Sequence, residues 1–257
     1  MLLVSDIHGA FEDLHRVGQT GEPLLVLGDL INLTDYRNGE GITSDLLGPD
    51  FARRSSAARA AGDYVAMRKL FTEAIGDRVD EFRAAYAEKV EAQYVEARQA
   101  LEGTNAIVTY GNVDRPSVLR RHLPPGVRFV DGEVVEVEGV RVGFVGGGIT
   151  TPLGAEGEVS DAEMAAKLAT LGPVDVLCSH LPPAVAPLHT DVVTGRQERA
   201  SQPILDYLLT HQPGYHFFGD VHQPQAIQWR VGPTRCRNVG YFRATRRAVH
   251  FDPYSGR

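Results

Sequence analysis

Five short apolar runs, each closed at its carboxyl end by aspartate, asparagine or histidine, constrain this chain more than any other feature. Leu2–Val4 leads into Ser5-Asp6-Ile7-His8-Gly9, Leu24–Leu27 into Gly28-Asp29, and Ala106–Val108 into Thr109-Tyr110-Gly111-Asn112. Val174–Cys178 leads into Ser179-His180, and Tyr215–Phe218 into Gly219-Asp220-Val221-His222. Short apolar runs bounded by turn residues read as buried strands. Side chains able to ligate or to move protons therefore recur just past strand ends, where open α/β folds bind their ligands.

Helical segments separate several of these strands. Phe11–Gln19 is short. Ser160–Leu171 carries Ser160 as N-cap with Glu163 at capping-box spacing, and Gln202–His211 has Ser201 as cap and Pro203 in its first turn. Asp50–Glu102 is rich in Ala, Arg and Glu. From Ile75 onward Val79, Phe82, Tyr86, Val90, Tyr94, Ala97 and Leu101 recur every three or four residues, the pattern of a long helix with one buried face. So long a connection between core strands forms structure of its own. Residues 36–102 thus read as a helical insertion that packs on the domain, or else covers the site or forms an interface between copies. Glu133–Val137 and Val140–Val145, joined by Glu138-Gly139, read as a hairpin, and Ala226–Val231, Arg235–Val239 and Ala248–Phe251 as later strands. The expectation is a single α/β domain over residues 1–257, a four-layer αββα sandwich of two mixed sheets flanked by helices, carrying that insertion.

The 257 residues have a formal net charge of −7. Such a surface has no general attraction for nucleic acid or an anionic membrane. An anionic substrate would need local positive charge, which bound metal would supply. The hydrophobic (43%) and charged (23%) fractions exclude global disorder. Cys178 and Cys236 have neither zinc-knuckle nor disulfide-framework spacing, and Cys178 reads as a small buried hydrophobe. The opening MLLVSDIHGAFEDL lacks the features of a secretion signal, and no segment has membrane-spanning length, so the cytoplasm is the expected location.

Singly, Asp-x-His, Gly-Asp and Gly-Asn are common strings; Gly62-Asp63 and Gly76-Asp77 occur too and are set aside as helical. The information lies in the order of D-x-H, G-D, G-N-x-D, S-H and G-x-x-H after successive strands. In that order the sequence resembles the calcineurin-like metallophosphoesterases, over nearly the whole chain apart from the insertion. Ser179-His180-Leu181-Pro182-Pro183, Gly219-Asp220-Val221-His222-Gln223-Pro224 and Asn238-Val239-Gly240 add to the resemblance.

The resemblance implies a dinuclear phosphoesterase. Asp6, His8 and His222 would hold one metal, Asn112, His180 and Asp220 the other, and Asp29 would bridge them. It implies hydrolysis of a small phosphate ester by in-line attack of a metal-bridging hydroxide. Mixed imidazole and carboxylate ligands suit Mn²⁺, Fe or Zn²⁺ better than Ca²⁺. Asp29 and Asn112 count as catalytic as well as ligating. Asp114 either orients Asn112 or is a turn residue, and His189, in the loop after His180, is a candidate for reaching the substrate. His15, His122, His211, His216 and His250 fall outside the pattern and read as structural or exposed.

Two departures matter. Asp220 stands where the family usually has histidine. With two divalent ions and a hydroxide, the carboxylates of Asp6, Asp29 and Asp220 leave the site formally neutral, where the histidine version would keep one positive charge. That favours a phosphodiester monoanion over a monoester dianion. Val113 stands where many members carry a histidine that donates a proton or contacts phosphate, and valine does neither. Both changes also fit a different class, a non-catalytic binding or scaffold protein with a degraded second metal site. A nuclease is a third reading, disfavoured by the acidic balance. Arg235, Arg237, Arg243, Arg246 and Arg247 cluster near the carboxyl terminus and read as a solvated face.

Overall fold

The computed structural model describes residues 1–35 and 39–255. The first three residues of the expected insertion, Tyr36, Arg37 and Asn38, lie outside the described residues. The chain opens on β1 (Leu2–Val4), α1 (Phe11–Gly18) and β2 (Leu24–Val26). Helices α2 (Ile42–Leu47), α3 (Pro49–Ala60), α4 (Tyr64–Ile75) and α5 (Val79–Leu101) follow, then β3 (Ala106–Val108), α6 (Pro116–His122) and β4 (Arg128–Phe129). Strands then dominate: β5 (Glu133–Val137), β6 (Val140–Val145), β7 (Gly148–Ile149) and β8 (Glu158–Val159). The chain continues through α7 (Asp161–Leu171), β9 (Val176–Ser179), α8 (Ala186–His189), α9 (Gln202–His211) and β10 (Tyr215–Phe218). It closes with β11 (Gln228–Val231), β12 (Thr234–Asn238), α10 (Phe242–Thr245) and β13 (Val249–His250).

One sheet runs in the order β13-β1-β2-β3-β4, the other β11-β12-β10-β9-β6-β5, and β7-β8 form a small separate pair. The strands β1, β2 and β3 are mutually parallel, as are β6, β9 and β10, while β13, β5 and β11 run antiparallel at the edges. Both sheets are therefore mixed. Successive side chains of a strand point to opposite faces, and here each face has its own apolar core. Leu2, Val4, Leu24, Val26, Ala106 and Val108 pack outward against Leu14 of α1 and Tyr94 and Leu101 of α5. The intervening Leu3, Leu25 and Ile107 pack inward, against Val142, Phe144, Val176, Cys178 and Phe217 of the second sheet. Leu177 and Phe218 face the far side, under Leu168 of α7 and Leu208 of α9. Helix, sheet, sheet, helix is the four-layer αββα order expected from the sequence. Each fully buried Leu, Val or Phe in it stabilises by about 1.5–3 kcal/mol.

The insertion differs in detail from its pattern. Gly62 and Gly76 take positive φ (72° and 57°), so Gly62-Asp63 and Gly76-Asp77 break the helices instead of lying within them. Asp63 caps α4, accepting from the Ala66 amide at 2.8 Å. In α5 only the second half is core: Val90, Tyr94, Ala97, Ala100 and Leu101 are buried, whereas Val79 is 41% exposed. Apolar periodicity continues past the point where there is anything to pack against. Ser160 and Glu163 form the expected capping box on α7, and Ser201 caps α9 through the Ile204 amide. Among the described residues no helix is long and apolar enough to cross a membrane.

Candidate metal centre

Because β1, β2 and β3 are parallel in one sheet and β9 and β10 in the other, their following loops meet at one end of the sandwich. The seven sequence-predicted ligands come together there. His8 Nε2 lies 3.3 Å from His222 Nε2, 4.0 Å from Asp6 Oδ1 and 3.6 Å from Asp29 Oδ2. His222 Nε2 is 3.5 Å from Asp6 Oδ1. Across Asp29, His180 Nε2 lies 3.5 Å from Asp29 Oδ1 and 3.6 Å from Asp220 Oδ1. Asn112 completes this second group, its amide 3.2 Å from His180 Nε2, Asp29 Oδ2 and Asp220 Oδ1. Asp29 thus lies between the halves, with Oδ1 toward His180 and Oδ2 toward both His8 and Asn112. Asp6, His8 and His222, and again Asp6, Asp29 and His180, bring one ligand atom each to within 4.8 Å of one another. Both overlapping triads can hold a metal ion.

The backbone is bent to achieve this. Asp6, His8, Asp29 and Asp220 have φ of 58°, 41°, 54° and 66°, the left-handed region that side chains other than glycine rarely adopt. Such conformations cost on the order of 1–3 kcal/mol each and persist where the surroundings over-determine them. Gly111 permits a close approach: a Cβ there would sit 2.1 Å from Asp29 Oδ1 and 2.7 Å from the His180 ring.

Hydrogen bonds orient the ligands. His8 Nδ1 donates to the Ile31 carbonyl at 3.2 Å and His180 Nδ1 to the Leu27 carbonyl at 2.9 Å, which turns both Nε2 lone pairs inward. The Asp220 amide donates to both oxygens of Asp6, at 3.2 and 3.1 Å, and the Val113 amide to Asp29 Oδ1 at 3.1 Å. Tyr241 stacks on the His222 ring, centroids 3.8 Å apart and planes 4° from parallel.

The charges perturb one another. Burial by itself would raise the carboxyls of Asp6 and Asp29; His222 and His180 respectively outweigh it and hold both below their ordinary range. Burial would depress His180 and His222, yet Asp29 and Asp220 hold His180 well above its ordinary value and Asp6 raises His222. His8 is lowered, chiefly by burial. Among the described residues no lysine or arginine pairs with Asp6, Asp29 or Asp220. Buried carboxylates faced only by imidazoles call for another countercharge when those imidazoles are neutral. Asn112 carries the same message. With its oxygen inward, lone-pair atoms meet lone-pair atoms, as around a cation; turned over, its nitrogen lies within donating distance of all three neighbours, with hydrogens for two of them. The donor set of carboxylates, inward Nε2 atoms and an amide oxygen fits divalent metal.

Asp114 does not enter the cluster. It is fully buried and accepts from the amides of Asp29 (2.8 Å), Leu30 (3.0 Å) and Gly111 (2.9 Å) and from the Tyr94 hydroxyl (3.2 Å). It ties the loop after β2 to the loop after β3 and both to α5. Burial and the nearby Asp29 charge raise its carboxyl to about 6. Tyr94 and Tyr241 escape sequence reasoning, since one reads as a helix-face aromatic and the other follows a loop glycine. His189 is not drawn into the cluster either. It sits half-buried at the end of α8, its Nδ1 donating to the Glu198 carbonyl at 2.8 Å. Burial and then the nearby Asp220 charge raise the Glu198 carboxyl, which puts this loop beside the site.

The remaining histidines lie elsewhere. His15 meets the Ala100 carbonyl, His122 pairs with Glu91, His250 with Glu22, and His211 is exposed. His216 is fully buried, with Nε2 2.8 Å from Ser179 Oγ, and burial lowers it to about 3. Its folded value is thus depressed below the unfolded one of about 6.5, so its stabilisation is complete above that pH and is lost as pH falls. Between pH 7 and pH 5 this costs about 2 kcal/mol. Thermal melts at the two pH values should show His216→Gln losing less stability on acidification than wild type; an equal loss would assign the acid sensitivity elsewhere.

The fold and site together define an αββα protein with a buried Asp/His metal-capable centre. Neither a family model nor a curated protein matches the sequence. Solved structures do resemble it. One crystal structure, 17% identical, matches over 94% of this chain and 90% of its own with a TM-score of 0.59. TT1561 of Thermus thermophilus, 15% identical, matches over 96% of both chains with a TM-score of 0.55. At these identities the likeness establishes the fold.

Proposed function

We propose that this chain is a metal-dependent phosphoesterase acting on a small phosphate ester, a phosphodiester in preference to a monoester. The observation that carries the reading is the convergence of Asp6, His8, Asp29, Asn112, His180, Asp220 and His222, from five strand ends, on one buried cluster. Asp6, His8 and His222 would hold one ion, Asn112, His180 and Asp220 the other, with Asp29 between. A pair of Mn²⁺, Fe or Zn²⁺ ions would supply Lewis-acid neutralisation of the phosphoryl oxygens and make a hydroxide nucleophile available near neutral pH.

The chain's own residues shape the rest. Asp220 adds a third carboxylate to Asp6 and Asp29, which disfavours a dianionic monoester. Asp220 and His222 keep 20% and 27% side-chain exposure while Asp6 and His180 have none, so substrate enters on their side. Val113 packs on the apolar core and offers no proton. Protonation of the leaving group would then come from water or from His189, anchored at Nδ1 on the neighbouring loop, unless the leaving group needs none. His189→Ala should slow a diester with a poor leaving group about a hundredfold and spare an activated aryl diester; equal slowing of both would remove His189 from that role.

The experiment that tests the whole reading is elemental analysis of the purified protein, with turnover of bis(p-nitrophenyl) phosphate and p-nitrophenyl phosphate under added Mn²⁺, Fe²⁺, Zn²⁺ and Mg²⁺. Metal-dependent turnover favouring the diester is expected. Metal without turnover would favour the scaffold reading, and a strong monoester preference would overturn the role given to Asp220.

A further inference from the structure

The arginines near the carboxyl terminus are not one solvated face. Arg243 pairs with Asp35 and Glu40, and Arg246 with Asp13. Arg235 and Arg237 instead share a cleft of about 500 Å³ with Arg230. The cleft exists because the sheets end unevenly. The first sheet stops at the two-residue β13, while the second extends past β10 through β12 to β11. The inner face of those last strands is left uncovered. Register places Arg235 directly opposite Arg230, and Arg237 opposite Gln228, on the face shared with Tyr215 and Phe217.

Like charges facing each other across a strand pair are destabilising. Among the described residues none of these three arginines has a salt-bridge partner, in a protein whose net charge is −7. The Nε of Arg237 is buried with no hydrogen-bond partner. Arg235 is turned over the Tyr215 ring, 5.6 Å from its centroid, and donates to its hydroxyl at 3.2 Å. Tyr215, Phe217 and Phe251 form a wall of rings 4.6–6.0 Å apart behind it. Guanidinium forks match oxyanions bidentately, and an aromatic wall takes a flat ring. The same arginines discourage pairing of β11 with a second copy, since equal charges would meet.

We propose that this cleft is a second binding site, separate from the metal centre, for a small molecule bearing a phosphate beside a planar ring, the chemistry of a nucleoside phosphate. The oxyanion bridges Arg230, Arg235 and Arg237, and relieves their repulsion. The ring lies along Tyr215.

Trp229, the chain's single tryptophan, borders the cleft but alternates to the opposite face of β11, beside Cys236, so binding is read by calorimetry and assigned to the cleft by the arginine variant. Titrating the full chain with AMP should give a saturable change. Adenosine, lacking the charge, and inorganic phosphate, lacking the ring, should each bind about tenfold or more weakly. R235Q/R237Q should bind AMP about tenfold or more weakly, with hydrolysis at the metal centre unaltered. No saturable change with AMP at millimolar concentration, or equal AMP binding by the variant, would overturn the site. Phosphate binding as tightly as AMP would overturn the ring's part. A dimer in sedimentation that R235Q/R237Q dissolves would give the cleft to an acidic patch of a second copy instead.

Discussion

Asp29→Ala is expected to abolish metal-dependent hydrolysis and to lower metal content at both halves of the centre. It lies between the two halves, one oxygen 3.6 Å from His8 Nε2 and the other 3.5 Å from His180 Nε2. Metal clamping of a phosphoryl group supplies several kcal/mol of charge stabilisation. Losing it corresponds to a fall in kcat/KM of about a thousandfold or more. The fold should survive, because the deleted group is a strained, buried carboxylate whose only backbone donor among the described residues is the Val113 amide. The metal-free variant should melt no lower than metal-free wild type. Activity within tenfold of wild type, with metal still bound in pairs, would refute the shared role of Asp29.

Asp114→Ala is expected to be the most destabilising substitution near the site. It strands the amides of Asp29, Leu30 and Gly111 in a region with no access to water, and the Tyr94 hydroxyl with them. An orphaned buried donor costs about 1–3 kcal/mol, so the three amides together cost about 3–9 kcal/mol, a large part of a typical domain's stability. Chemical denaturation should show a midpoint shift of that size, and metal affinity should fall because both loops lose their tie. Tyr94→Phe, which removes one donor to Asp114 and one acceptor for the Arg115 amide, should cost only about 1–2 kcal/mol. A midpoint for Asp114→Ala within error of wild type would mean that the loops are held by packing alone.

Asp29 and Asp114 differ in how readable they were. Asp29 announces itself locally: an apolar run, a glycine that permits a sharp turn, then a ligand. Every one of the seven converging residues lies just past such a run, because a side chain there is placed by two or three bonds of backbone and by the direction of its strand. Asp114 carried the same local signal, and the sequence left it between orienting Asn112 and serving as a turn. Which of these it does depends on Tyr94, 20 residues earlier on a helix, and on amides 84 and 85 positions away. Nothing in its own neighbourhood encodes them.

The same division runs through the fold. Continuous apolar runs in β1, β2 and β9, the Ser160–Glu163 cap and the order of ligand-ending runs were enough to specify layers, helix starts and the contents of the centre, since each rests on a short local pattern or on the chemistry of one turn. Tertiary structure alone decided that only half of α5 is core, that His189 stands outside the cluster, and that Arg230, Arg235 and Arg237 share an open edge while Arg243 and Arg246 are paired. Those outcomes depend on where one sheet stops and another continues. Sheet ends are set by packing between segments distant in the chain, which residue periodicity does not record.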